Sequence, residues 1–123
     1  MIEAYSTNLT VAANSFIPFN STSVIKGCTA TKPSVDTINL NKCGVYMVSC
    51  DVSAAASTTI QLFKDGVAQP QAQSTGQSPS FVTLVQVDHN NLCCACDSPT
   101  TIQVRNTVAG TLTDANIVVT KVC

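Results

Sequence analysis

Seven cysteines and one histidine are the side chains of this 123-residue sequence with the most specific chemistry. The thiols are Cys28, Cys43, Cys50, Cys93, Cys94, Cys96 and Cys123, an odd number that cannot all pair within one chain. A nucleophilic site of the Ser/His/Asp or Cys/His type needs its histidine beside the nucleophile. His89 instead lies in the polar turn Asp88-His89-Asn90-Asn91 and reads as a loop histidine. His89 with Cys93, Cys94 and Cys96 is weak as a zinc pattern. Structural zinc favours separated knuckles, and adjacent cysteines on a strand point to opposite faces. Buried thiols or a thiol cluster fit better, with a site shared by three copies on a common axis as the remaining metal arrangement. The acids Glu3, Asp36, Asp51, Asp65, Asp88, Asp97 and Asp114 are scattered, with no close pair for glycosidase chemistry and no Asp-rich calcium loop. A glycine-rich phosphate loop is also missing. The expectation is a protein without catalysis and without a metal or cofactor.

The elements that position these residues follow from composition and alternation. Hydrophobic residues make up 45% of the chain, enough for one core. Charged residues are only 11%, against about 25% in ordinary soluble domains. Ser, Thr, Asn and Gln must therefore form much of the surface, together with apolar area that copies of the same chain are expected to cover. The net charge of −1 leaves no basic stripe for nucleic acid or an anionic membrane. No apolar run reaches membrane-spanning length. The start, Met1-Ile2-Glu3-Ala4-Tyr5, lacks the basic and hydrophobic regions of a signal peptide, which predicts folding in a cytoplasm with reduced thiols.

Strand periodicity is clearest in residues 44–53. Tyr46, Val48, Cys50 and Val52 form one parity, while Met47, Ser49 and Asp51 form the other. No window has a helical period. Ten strands are predicted, at 7–12, 15–19, 23–30, 34–40, 44–54, 58–64, 67–71, 80–88, 100–106 and 115–122, which is a sandwich signature. Asp65-Gly66 predicts a tight hairpin, since this pair supplies the positive φ that primed turns require. The Gln/Ser/Pro/Gly stretch 69–79 predicts an exposed loop, in which Gln71, Gln73, Ser74 and Gln77 are candidate partner contacts. Residues 80–88 and 115–122 carry apolar side chains on both parities. That favours a sheet facing other copies, with Tyr46, Val82, Leu84, Ile117 and Val119 as candidate interface residues.

The ordered segments resemble the TNF/C1q-like jelly roll. Gly44-Val45-Tyr46-Met47-Val48-Ser49 is similar to its third core strand, and Ile60-Gln61-Leu62-Phe63-Lys64-Asp65-Gly66 to the hairpin strand that follows. Thr101-Ile102-Gln103-Val104-Arg105-Asn106 and Asn116-Ile117-Val118-Val119-Thr120-Lys121-Val122 are similar to the last two strands. More narrowly, Leu92-Cys93-Cys94-Ala95-Cys96 ahead of the Ile102–Asn106 segment resembles small C1q-like proteins of bacteria and their phages; Cys96 and Cys123 have no place in that pattern.

The resemblance implies an all-β, ten-stranded jelly-roll β-sandwich in a tight homotrimer. It also implies that Cys43 lies near Cys93 or Cys94, making Cys43, Cys93, Cys94 and Cys96 a candidate thiol cluster. Residues 1–14 are expected to form a docking segment and first strand, and 15–123 the jelly-roll domain. The function expected is that of a phage virion structural protein: a capsid decoration, head fibre or adhesive tip. Its partners would be itself, a major capsid or other virion protein bound through the N-terminal segment, and a host-surface glycan or protein. The alternative is a knob on a bacterial cell or spore surface. That reading is weakened because only five glycines are present and no Gly-x-y stalk.

Overall fold

A computed structural model describes residues 1–27, 29–87 and 100–123. Eleven strands and no helix occur among them: β1 (Ile2–Val11), β2 (Ser15–Phe16), β3 (Ser21–Ile25), β4 (Ala30–Ser34), β5 (Thr37–Leu40), β6 (Gly44–Ala54), β7 (Thr58–Lys64), β8 (Val67–Gly76), β9 (Ser80–Val87), β10 (Thr100–Asn106) and β11 (Gly110–Lys121). They form two antiparallel sheets. The first has the order β3-β1-β11-β6-β9, the second β4-β5-β10-β7-β8, with β2 added to β10.

Alternation in β6 works as its sequence requires. Tyr46, Val48, Cys50 and Val52 enter the core between the sheets, and Asp51 faces water. Ile2 and Ala4 from β1, Ile117 and Val119 from β11, and Val85 and Val87 from β9 complete the first sheet's inner face. Ile60, Leu62, Ile102, Val104, Ile38 and Leu40 oppose them from the second.

Polar groups inside this core are paired. The Tyr46 phenol lies 2.8 Å from the Lys42 carbonyl and accepts the Lys42 N–H, so a fully buried ring keeps its hydroxyl satisfied. Thr58 Oγ1 donates to Asn106 Oδ1 at 2.5 Å, and Asn106 Nδ2 donates to the Val108 carbonyl at 2.6 Å.

The hairpin at Asp65-Gly66 forms as expected. Both residues have positive φ (49° and 80°), and Lys64 pairs with Val67 across the turn. Asp65 Oδ1 then accepts the Thr101 N–H at 2.9 Å, tying the turn to β10.

Three expectations are corrected. The ten strands become eleven because β4 occupies the gap left between the predicted strands 23–30 and 34–40, forming a hairpin with β5 in which Ser34 faces Thr37. The predicted loop 69–79 is mostly β8, an edge strand paired with β7. Its polar character suits an edge: Ala72 is buried while Gln71 and Gln73 are exposed. Pro70, which cannot donate to a ladder, sits where the register between Gln61 and Phe63 is irregular. The first strand, predicted at 7–12, begins at Ile2: β1 lies between β3 and β11 with Ile2 and Ala4 fully buried. In the last strand a bulge between Leu112 and Asp114 switches the inward parity from Leu112 to Ala115, Ile117 and Val119, which leaves Val118 on the opposite face.

Candidate interaction surface

The first sheet has an outer face that nothing in the described chain covers. Strand register sets its rows. One runs Glu3, Val118, Ser49, Val82, and the next Thr120, Met47, Leu84. Val82 is 65% exposed and Leu84 60%, unusual for side chains in the middle of a strand. Val45, Met47 and Val118 are half-buried beside them, and Tyr5 is exposed on the neighbouring row with Asn116 and Asp51. The face is thus apolar toward β9 and polar toward β1.

Of the five interface candidates, Val82 and Leu84 lie on this face. Tyr46, Ile117 and Val119 do not: they are 0–1% exposed, pointing into the chain's own core. Their neighbours Val45, Met47 and Val118 take the outward positions, because strand parity turns successive residues to opposite faces. Sequence alternation alone could not decide which parity faces inward where both are apolar. The contact candidates Gln71, Gln73 and Ser74 stand on edge strand β8, with Gln77 in the short connection to β9; Ser74 is half-buried and the others are exposed.

The thiols divide three ways. Cys50 is fully buried between its strand partners Ile117 and Phe81 and serves as a small apolar group. Burial, with the neighbouring Asp51 charge, pushes its thiol pKa well up. Cys123 is free and exposed. Cys43 is disulfide-bonded, so the expectation of reduced thiols fails at this position. Cys28, Cys93, Cys94, Cys96 and His89 lie outside the described residues, and with them the proposed cluster. Among the described residues no group of three or more His, Cys, Asp and Glu side chains could hold a metal. A small hollow at one end, lined by Ala54, Ala55, Val108 and Gly110, carries no titratable side chain. No helix among the described residues is long and apolar enough to cross a membrane.

Two antiparallel sheets in this order, with the first strand inserted beside the last, define a TNF-like jelly roll. Solved structures agree on the fold. The PRD1 vertex protein P5 superposes with a TM-score of 0.72 at 14% identity, covering 99% of this chain and 96% of that one. Rabbit GITRL gives 0.64 at 14% identity, with 100% and 95% covered. Murine APRIL gives 0.63 at 9% identity, with 98% of each chain covered. No family model and no curated protein matches the sequence.

Proposed function

We propose that this chain is a non-enzymatic structural protein of a phage virion, acting as a homotrimeric decoration, head fibre or adhesive tip. The observation that carries the reading is the uncovered apolar face of the first sheet, centred on Val82 and Leu84. An exposed patch of this kind on a weakly charged protein marks a contact surface, and a second and third copy are the simplest occupants. The likeness in fold to a vertex protein supports a place on a particle. Three identical chains on a repeating particle would act through avidity, making weak contacts effective together. A virion partner bound through the N-terminus would meet the outward side chains of β1, with Tyr5 the largest, because Ile2 and Ala4 are committed to the core.

The test is light scattering of the purified chain over a dilution series, followed by co-sedimentation with purified virions. A trimer of the 12.8 kDa chain that sediments with particles is the expected result. A monomer at every concentration overturns the trimer. Recovery with cell-wall or spore-coat material, and not with particles, replaces the virion reading by the bacterial-surface one.

A further inference from the structure

The outer face of the second sheet carries an arginine that has no acidic partner among the described residues. Arg105 on β10 lies opposite Phe16 of β2 and Gln61 of β7. Its guanidinium sits 4.7 Å from the centroid of the Phe63 ring. Phe63 meets Phe16 edge to face, with centroids 5.5 Å apart. Arg105 Nε is sealed from solvent and has no hydrogen-bond partner, and no acidic side chain pairs with the group among the described residues. Arginine packed flat on an aromatic ring covers apolar surface, which accounts for the stacking. It does not account for the Nε–H, a buried donor left without a partner, an arrangement that costs free energy.

The neighbours give the chemistry of what would complete it. Gln103 Nε2 donates to Thr37 Oγ1 at 3.1 Å, and Gln61 Nε2 donates to the Gln69 carbonyl at 3.4 Å. Both amide nitrogens are thereby held by other strands of the same sheet, and both amide oxygens remain as acceptors. The two lysines on strands of the second sheet are engaged elsewhere: Lys32 with the Phe19 carbonyl and Lys64 with the Gln86 carbonyl. One cation with no second beside it does not suit a polyanion, whose binding rests on several.

We infer that the Arg105, Phe16, Phe63, Gln61 and Gln103 cluster is a binding site for an acidic sugar, its carboxylate on the Arg105 guanidinium. A carboxylate matches the planar fork of arginine. Sugar hydroxyls donate to the two glutamine oxygens, and ring C–H groups cover Phe16. The site lies within one chain, on the sheet opposite the proposed contact face, so it does not rest on trimer formation or on a virion location.

The experiment is NMR titration of the ¹⁵N-labelled full chain with sodium glucuronate, following the Arg105 Nε–H and the Gln61 and Gln103 side-chain amides. Acetate, glucose and N-acetylglutamate are titrated in parallel. The expected result is saturable movement of all three signals by glucuronate, at concentrations about tenfold below those needed for any control; Arg105→Lys, which keeps the charge but loses the fork, weakens the response by about tenfold. Leu84→Ser, on the opposite sheet, leaves it unchanged. Absence of a glucuronate response overturns the site. An equal response to acetate or N-acetylglutamate overturns the sugar assignment, and an undiminished response in a folded Arg105→Lys chain overturns the role of Arg105.

Discussion

Replacing Val82 and Leu84 together by serine tests the contact face directly. Both side chains point away from the core, so the substitutions leave the monomer's packing intact. Fully burying a side chain of this size contributes about 1.5–3 kcal/mol. With 65% of Val82 and 60% of Leu84 exposed, covering what remains contributes roughly 1–2 kcal/mol each, or about 2–4 kcal/mol per chain. Three chains closing on one another would draw about 6–12 kcal/mol from these two positions. The lower figure corresponds to about four decades in the trimer dissociation constant. Because that constant scales with the square of concentration, the midpoint of dissociation should rise by about two decades in chain concentration. Sedimentation velocity over a dilution series reads this directly, and circular dichroism of the dissociated variant should still report an all-β fold. Dissociation of the double variant at the parent's own concentration would refute the assignment of this face.

Three further outcomes are expected. Asn106→Ala strands the buried Thr58 hydroxyl and removes the donor to the Val108 carbonyl, and should lower unfolding free energy by about 1–3 kcal/mol in denaturant titration. Gly44→Ala places a Cβ 2.5 Å from the Cys123 carbonyl oxygen at a φ of +138°, so it should release the C-terminus from β6 and cost about 1–3 kcal/mol, read by amide exchange at Val122 and Cys123. Cys50 stays protonated in the folded chain above its ordinary pKa of 9.0, whereas the unfolded chain ionises there and binds fewer protons. Stability should therefore be complete below pH 9.0 and fall by about 1.4 kcal/mol per pH unit above it, a slope that Cys50→Ala removes.

Much of the fold was legible from local patterns. The strands at 44–54, 58–64 and 100–106 have the predicted bounds, because each alternates cleanly and is flanked by turn residues. The Asp65-Gly66 hairpin was equally legible, since positive φ is a property of those two residues in that setting. Strand β8 was not. Its Gln, Ser and Thr side chains have the composition of a loop, and only pairing with β7 makes them a strand. The exposed apolar face of the first sheet was half legible. Apolar residues on both parities of 80–88 pointed to it, but the choice between Tyr46 and Met47, or between Val119 and Val118, required knowing which side the second sheet occupies. Arg105 was not singled out at all, because its setting depends on β2 and β7 meeting β10 from opposite sides.

The sequence by itself determined an all-β chain with a single core, a sparsely charged surface and the Asp65-Gly66 turn. Those properties reside in alternation, composition and backbone preference, each confined to a few neighbouring residues. Tertiary structure decided which parity of each strand is buried, that the first ten residues complete the sandwich, and that Phe16, Phe63 and Arg105 meet on one face. Those outcomes depend on pairings between residues far apart in the chain, where the free energy belongs to the assembled sheets and to no single segment.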